Sequence, residues 1–91
     1  MTPVEWAESA LNDIYRHTAY IAQFNPRAAD RLARCLIEAG NSLSNFPERG
    51  RPGLAEGSRE LMIVWPYILV YQVTADVIEI IRVWHGAQHR Q

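Results

Sequence analysis

Three β-type runs follow one another almost without spacers in the last third of the chain: Arg59–Val64, Tyr67–Thr74 and Val77–Trp84. Connectors this short allow only antiparallel neighbours, so the block predicts a three-stranded meander. Trp65-Pro66 ends the first run, because proline cannot donate to a sheet ladder. Thr74-Ala75-Asp76 makes the second turn. Alternation places Arg59, Leu61, Ile63 and Trp65 on one face of the first strand. It places Tyr67, Leu69, Tyr71 and Val73 together on the second, and Ile78, Ile80, Arg82 and Trp84 on the third. Neither face of the third strand is purely apolar, so its end is expected to leave the core. The exit runs into His85-Gly86-Ala87-Gln88.

Upstream the period changes. Val4 and Trp6 flank Glu5, which suits a brief strand. Ala7–Phe24 then reads as a helix with a stripe of Leu11, Ile14, Tyr15, Thr18, Ile21 and Ala22. Glu8 and Asp13 in its first half, with Arg16 and His17 later, complement the helix dipole. Asn25-Pro26 restarts a helix, since Asn caps and Pro suits the first turn. That helix is expected to run from Pro26 to about Ser44. Its inner stripe is Ala29, Leu32, Ala33, Leu36, Ile37, Gly40 and Leu43, opposite an outer face bearing Arg27, Arg31 and Arg34. The tight connector makes the two helices an antiparallel hairpin. Phe46 to Gly53 reads as loop. The fold class expected is α+β: a short N-terminal strand, a helical hairpin and an antiparallel meander, with both helices on one sheet face. Residues 1–91 read as a single domain.

Composition narrows the function. Nine basic side chains, all Arg, oppose ten acidic ones, giving a formal net charge of −1. That is not the basic excess of a protein that grips a phosphate backbone. No apolar run approaches the roughly 20 residues of a membrane span, and the N-terminus is not a signal peptide. Cys35 stands alone, so no internal disulfide forms. Together these features point to the cytoplasm. No phosphate-binding glycine loop or metal-type Cys/His cluster occurs, and no cofactor is implied.

Chemistry concentrates in Arg59, Arg82, His85, His89 and Arg90, with Glu60 and Glu79 nearby. A metal-free nuclease needs a base, an acid and cations at the phosphorane. A simpler reading pairs Arg82 with an acidic neighbour across the sheet and lets His85 end a strand. The tyrosines Tyr15, Tyr20, Tyr67 and Tyr71 are assigned to the core, whereas Trp84 beside Arg82 suits a partner-binding anchor.

Several stretches together resemble the RelE/ParE superfamily of type II toxins, and its ParE branch in particular. They are Val4-Glu5-Trp6, Asn25-Pro26-Arg27-Ala28-Ala29, Gly50-Arg51-Pro52-Gly53, Ser58-Arg59-Glu60-Leu61, Tyr67-Ile68-Leu69-Val70-Tyr71 and Ile80 to Gln88. The resemblance implies a cognate antitoxin (ParD-like or related) and a toxin–antitoxin hetero-oligomer. RelE-like members cut messenger RNA on the ribosome with cations on the sheet. ParE-like members poison DNA gyrase, with no catalytic residues attributed to them. Of four cationic positions expected of the RNA-cutting branch, this chain holds Arg59 but has Leu61, Ile68 and Gly86 at the others. The resemblance therefore implies a gyrase inhibitor acting by binding, without catalytic residues. The alternatives are a ribosome-dependent endoribonuclease using Arg59, Arg82 and His85, or an inactive family member that only binds antitoxin. Partner contacts are expected at Arg27, Arg31 and Arg34 on the hairpin and at Arg82, Trp84 and His85 at the sheet exit. No membrane contact and no strong direct nucleic-acid binding is expected.

Overall fold

A computed structural model describes residues 1–86. Strand β1 (Val4–Trp6) leads into α1 (Glu8–Ala22) and α2 (Pro26–Asn41), and a 3₁₀ turn continues α2 through Ser42–Ser44. Four strands follow: β2 (Arg51–Pro52), β3 (Ser58–Val64), β4 (Tyr67–Val73) and β5 (Ile78–His85). Their order across the sheet is β1-β5-β4-β3-β2. Only β1 and β5 pair in parallel; the other neighbours are antiparallel. The helical hairpin and meander are as expected, and the Asn25 side chain caps α2 by accepting from the Ala28 N–H at 3.0 Å.

The sequence assigned Phe46 to Gly53 wholly to a loop. In the structure Arg51–Pro52 is a fifth strand, paired to β3 with Arg51 opposite Glu60. Two residues carry no alternation, so no period could have shown it. A proline is tolerated there because β2 is the sheet edge. Gly57, with φ of +82°, turns the chain back into β3 from the left-handed region that glycine alone enters freely.

The core lies between the sheet and the hairpin. Ala10, Ile14, Leu36, Ala39 and Leu43 pack on Leu61, Tyr67, Leu69, Tyr71, Ile78, Ile80 and Val83. Ile80 and Val83 are three apart, yet both are fully buried. Simple alternation forbids that. A bulge resolves it: Val70 faces Arg82 while Tyr71 faces Ile80, so Ile81 is the extra residue. The alternation expected for β5 therefore fails past Ile80: Val83 stays in the core, while Trp84 and His85 at its end are half-buried. A second irregularity in β3, between Leu61 and Val64, brings Val64 opposite Tyr67 and leaves Ile63 outside.

Two tyrosines assigned to the core are at the surface instead: Tyr15 is 72% and Tyr20 66% exposed. Helix α1 is rotated so that Ala10, Asp13 and Ile14 face inward, leaving Leu11 and Tyr15 out. Tyr67 and Tyr71 are buried as expected. The Tyr71 hydroxyl donates to the Pro47 carbonyl and accepts the Gly50 N–H, both at 2.9 Å, which pins the loop before β2. Tyr71→Phe orphans the buried Gly50 N–H. It should cost about 1–3 kcal/mol and accelerate hydrogen exchange at Gly50 more than at β4 amides.

Candidate functional site

Strand β1 covers the edge of β5 only from Ile78 to Ile80. Beyond that point the β5 backbone would present bare N–H and C=O groups, a liability for any small sheet. Helix α1 takes over the edge. The Ala7 N–H donates to the Ile80 carbonyl at 2.9 Å, and the Ser9 hydroxyl to the Ile81 carbonyl at 2.6 Å. The Asp13 carboxylate accepts the Val83 N–H at 2.9 Å, and His17 Nε2 meets the Val83 carbonyl at 2.8 Å. A carbonyl only accepts, so His17 Nε2 carries the proton. Ser9, Asp13 and His17 are four apart, which aligns them on one helix stripe parallel to the strand.

Asp13 is the centre of this edge. It is 1% exposed. Arg82 grips it with Nε at 2.7 Å and a terminal nitrogen at 2.9 Å, and Arg16 adds a further contact. Burial pushes its carboxyl up. The hydrogen bonds from Arg82, the Val83 N–H and Arg16 outweigh that and hold it below the ordinary carboxylate value. The same pairing raises the Arg82 guanidinium further, against a smaller opposing effect of burial. Arg82 also lies over the Trp84 ring, 4.0 Å from its centroid. The simpler reading of Arg82 therefore holds, although its acidic partner comes from α1 rather than from the sheet. Asp13 acts there, not as a dipole complement.

The other sheet arginines are similarly engaged. Arg59 donates to the Gly50 carbonyl at 2.7 Å, and Arg51 pairs with the buried Glu60 carboxylate at 3.0 Å. Ile68, at a position where RNA-cutting relatives are expected to carry a cation, is buried opposite Trp84. Arg59 and His85 sit on different strand partners, opposite Tyr71 and Tyr67 respectively, and are not brought together. His85 stacks edge-on to Tyr67, with ring centroids 5.4 Å apart, and His17 tilts against the same ring at 5.0 Å. His89 and Arg90 lie outside the described residues. Among the described residues no group of three His, Cys, Asp or Glu side chains could hold a metal ion. No helix among the described residues is long and apolar enough to cross a membrane.

On the outside of the hairpin, Arg27, Arg31 and Arg34 are exposed. Between the helices, Tyr15, Thr18, Ala19 and Ala22 of α1 face Ala29, Asp30 and Ala33 of α2 across a shallow groove. Sequence reasoning placed Ala29 and Ala33 on the inner stripe of α2. It missed the groove because Tyr15 was turned inward.

The family model described as the ParE toxin of the type II toxin–antitoxin system parDE matches residues 4–90. The chain belongs to the ParE toxin family. It is 42% identical over 88 residues to Toxin RelE2 of Caulobacter vibrioides, covering 97% of this chain and 99% of the relative. Among solved structures it resembles a chain of the chromosomal ParDE system of P. aeruginosa, with a TM-score of 0.85 and 22% identity. That match covers 93% of this chain and 96% of the other. A chain of the E. coli DinJ–YafQ complex superposes less closely, at a TM-score of 0.56 and 16% identity over 100% of both chains. The chain is thus a toxin of a type II toxin–antitoxin system, with the family's two-helix, five-strand fold.

Proposed function

We propose that this ParE-family toxin arrests growth by binding DNA gyrase, without covalent chemistry of its own. The observation that carries the reading is the state of the sheet cations. Phosphoryl transfer without metal needs guanidinium or ammonium groups aimed at the phosphorane. Here Arg82 is committed to Asp13, Arg51 to Glu60 and Arg59 to the Gly50 carbonyl, and Ile68 is apolar. A binding protein needs no such groups.

A cognate antitoxin fits the hairpin groove. Its floor is small and apolar, Asp30 is the one charged residue that lines it, and Tyr15 stands exposed at its edge, with Tyr20 and Phe24 further along the hairpin. Clustered exposed aromatics on so small a domain mark an interaction surface. The partner implied presents apolar side chains to this groove, and carboxylates only where it also reaches the exposed Arg27, Arg31 and Arg34 on the outer face of α2. Trp84 and His85, both half-buried at the sheet exit, are left for the target. Arg82 supports that exit through Trp84.

Purified toxin added to gyrase in stoichiometric amounts should block supercoiling or trap cleaved DNA. Intact gyrase activity together with cuts in ribosome-bound messenger RNA would refute the reading in favour of the endoribonuclease that some relatives' RelE names suggest. In that event His85→Ala abolishes growth arrest in a folded protein. Expression without antitoxin that leaves growth unaffected would refute both and mark an inactive family member.

A further inference from the structure

A cleft of about 330 Å³ opens where the second half of α1 meets the ends of β4 and β5. Arg16, His17, Tyr20, Ile21, Tyr67 and His85 line it. It shares Tyr20 with the exposed aromatics of the hairpin and His85 with the sheet exit, but neither of those surfaces accounts for its other lining residues. We infer that this cleft binds a nucleoside monophosphate, with the phosphate on Arg16 and the imidazole side and the base against the aromatic wall.

Charge argues for the anion. Two guanidiniums, Arg82 and Arg16, share the single carboxylate of Asp13, so the cluster beside the cleft carries a surplus of one positive charge. No carboxylate is among the lining residues. Arg16 remains half-exposed and gives one terminal nitrogen to Asp13, which leaves other N–H donors of its fork for a phosphate. His17 and His85 flank the Tyr67 ring on the same wall. Shape and polarity argue for the base. Tyr20 stands out from α1, steadied edge-on by Phe24 at 5.6 Å between ring centroids, and Ile21 adds an apolar patch. Aromatic faces of this kind accept any nucleobase by stacking. The volume lies at the low end of ligand pockets, which run from roughly 300 to 1,000 Å³. It suits one nucleotide rather than a strand.

The test is an NMR titration of the full chain with adenosine 5′-monophosphate, and separately with adenosine and with inorganic phosphate. The expected result is saturable movement of the His17, His85 and Tyr67 ring signals, with the monophosphate bound about tenfold or more tightly than either fragment. Arg16→Ala should weaken binding by about tenfold, the scale of one charge-assisted contact. Because Arg16 also touches Asp13, Tyr20→Ala provides a second variant on an exposed side chain. It should weaken the nucleotide and leave inorganic phosphate unchanged. The inference is overturned if millimolar nucleotide moves none of these signals, if Arg16→Ala binds as tightly as the native chain, or if phosphate alone binds as well as the nucleotide. None of these results bears on gyrase inhibition, which is assayed apart.

Discussion

Asp13→Ala should destabilise the fold by about 3–5 kcal/mol, the usual cost of removing one partner from a buried ion pair. One carboxylate serves three donors here: the Arg82 fork, the Val83 N–H and Arg16. Its loss leaves the Val83 amide unpaired at the sheet edge and two guanidiniums facing each other. Arg82 keeps about a third of its side chain in water, which pulls the figure toward the lower bound. Small domains hold only about 5–15 kcal/mol in all, and each kcal/mol moves the melting point by roughly 4–8 °C at this size. A drop of more than about 10 °C is therefore expected in a thermal melt. The pH dependence follows the same residue. The folded carboxyl titrates below its ordinary value, so its contribution is complete above pH 4 or so. It is lost as pH falls through the lowered native value, where the folded state must take up a proton. Urea midpoints should fall with acid in the native protein and flatten across that range in Asp13→Ala. An equal acid slope in both proteins would remove Asp13 from the account.

The helical hairpin and the meander could be read from the chain because each follows from a local cause. Asn25-Pro26 caps and starts α2, and Trp65-Pro66 and Thr74-Ala75-Asp76 fold the strands back on themselves. What escaped was set by tertiary geometry. The bulge at Ile81 has no sequence mark, yet it decides that Val83 and His85 share the face of Ile80. The edge left by a three-residue β1 depends on how long two distant strands run beside each other, so the purpose of Ser9, Asp13 and His17 was hidden. Their spacing of four was visible, and three polar residues at helical spacing beside an apolar stripe are a usable sign of a helix lying along a strand edge. The same rotation of α1 put Tyr15 and Tyr20 in solvent, because burying Asp13 with its partners turns the opposite face outward. At the sheet exit, Arg82 lies over the Trp84 ring and His85 stacks edge-on to Tyr67. The pairing of Arg82 with α1 could not be read from the strand alone.

Gly40→Ala should cost about 2–3 kcal/mol, although alanine is the better helix former by about 1 kcal/mol. Helix α2 crosses β1 and β5 at this residue. A Cβ placed on Gly40 would lie 2.3 and 2.5 Å from Cζ2 and Cη2 of Trp6 and 2.6 Å from Cδ1 of Ile80. Carbon contacts settle near 3.5–4.0 Å, so something must retreat by more than an ångström. Neither neighbour can do so freely. Trp6 is held through its indole N–H to the Asn41 side chain at 3.1 Å, and it pairs with Ile80 across the parallel ladder. Ile80 is fully buried between the layers. The helix must move instead, which loosens the contacts that Leu36 and Ala39 make with the core. A double-mutant cycle assigns the cause. Trp6→Phe removes the ring atoms that collide with the new methyl, at its own cost in packing and in the bond to Asn41. In that background Gly40→Ala should cost at least about 1 kcal/mol less than in the native protein. Strict additivity of the two substitutions would mean that the indole is not what excludes a side chain from position 40.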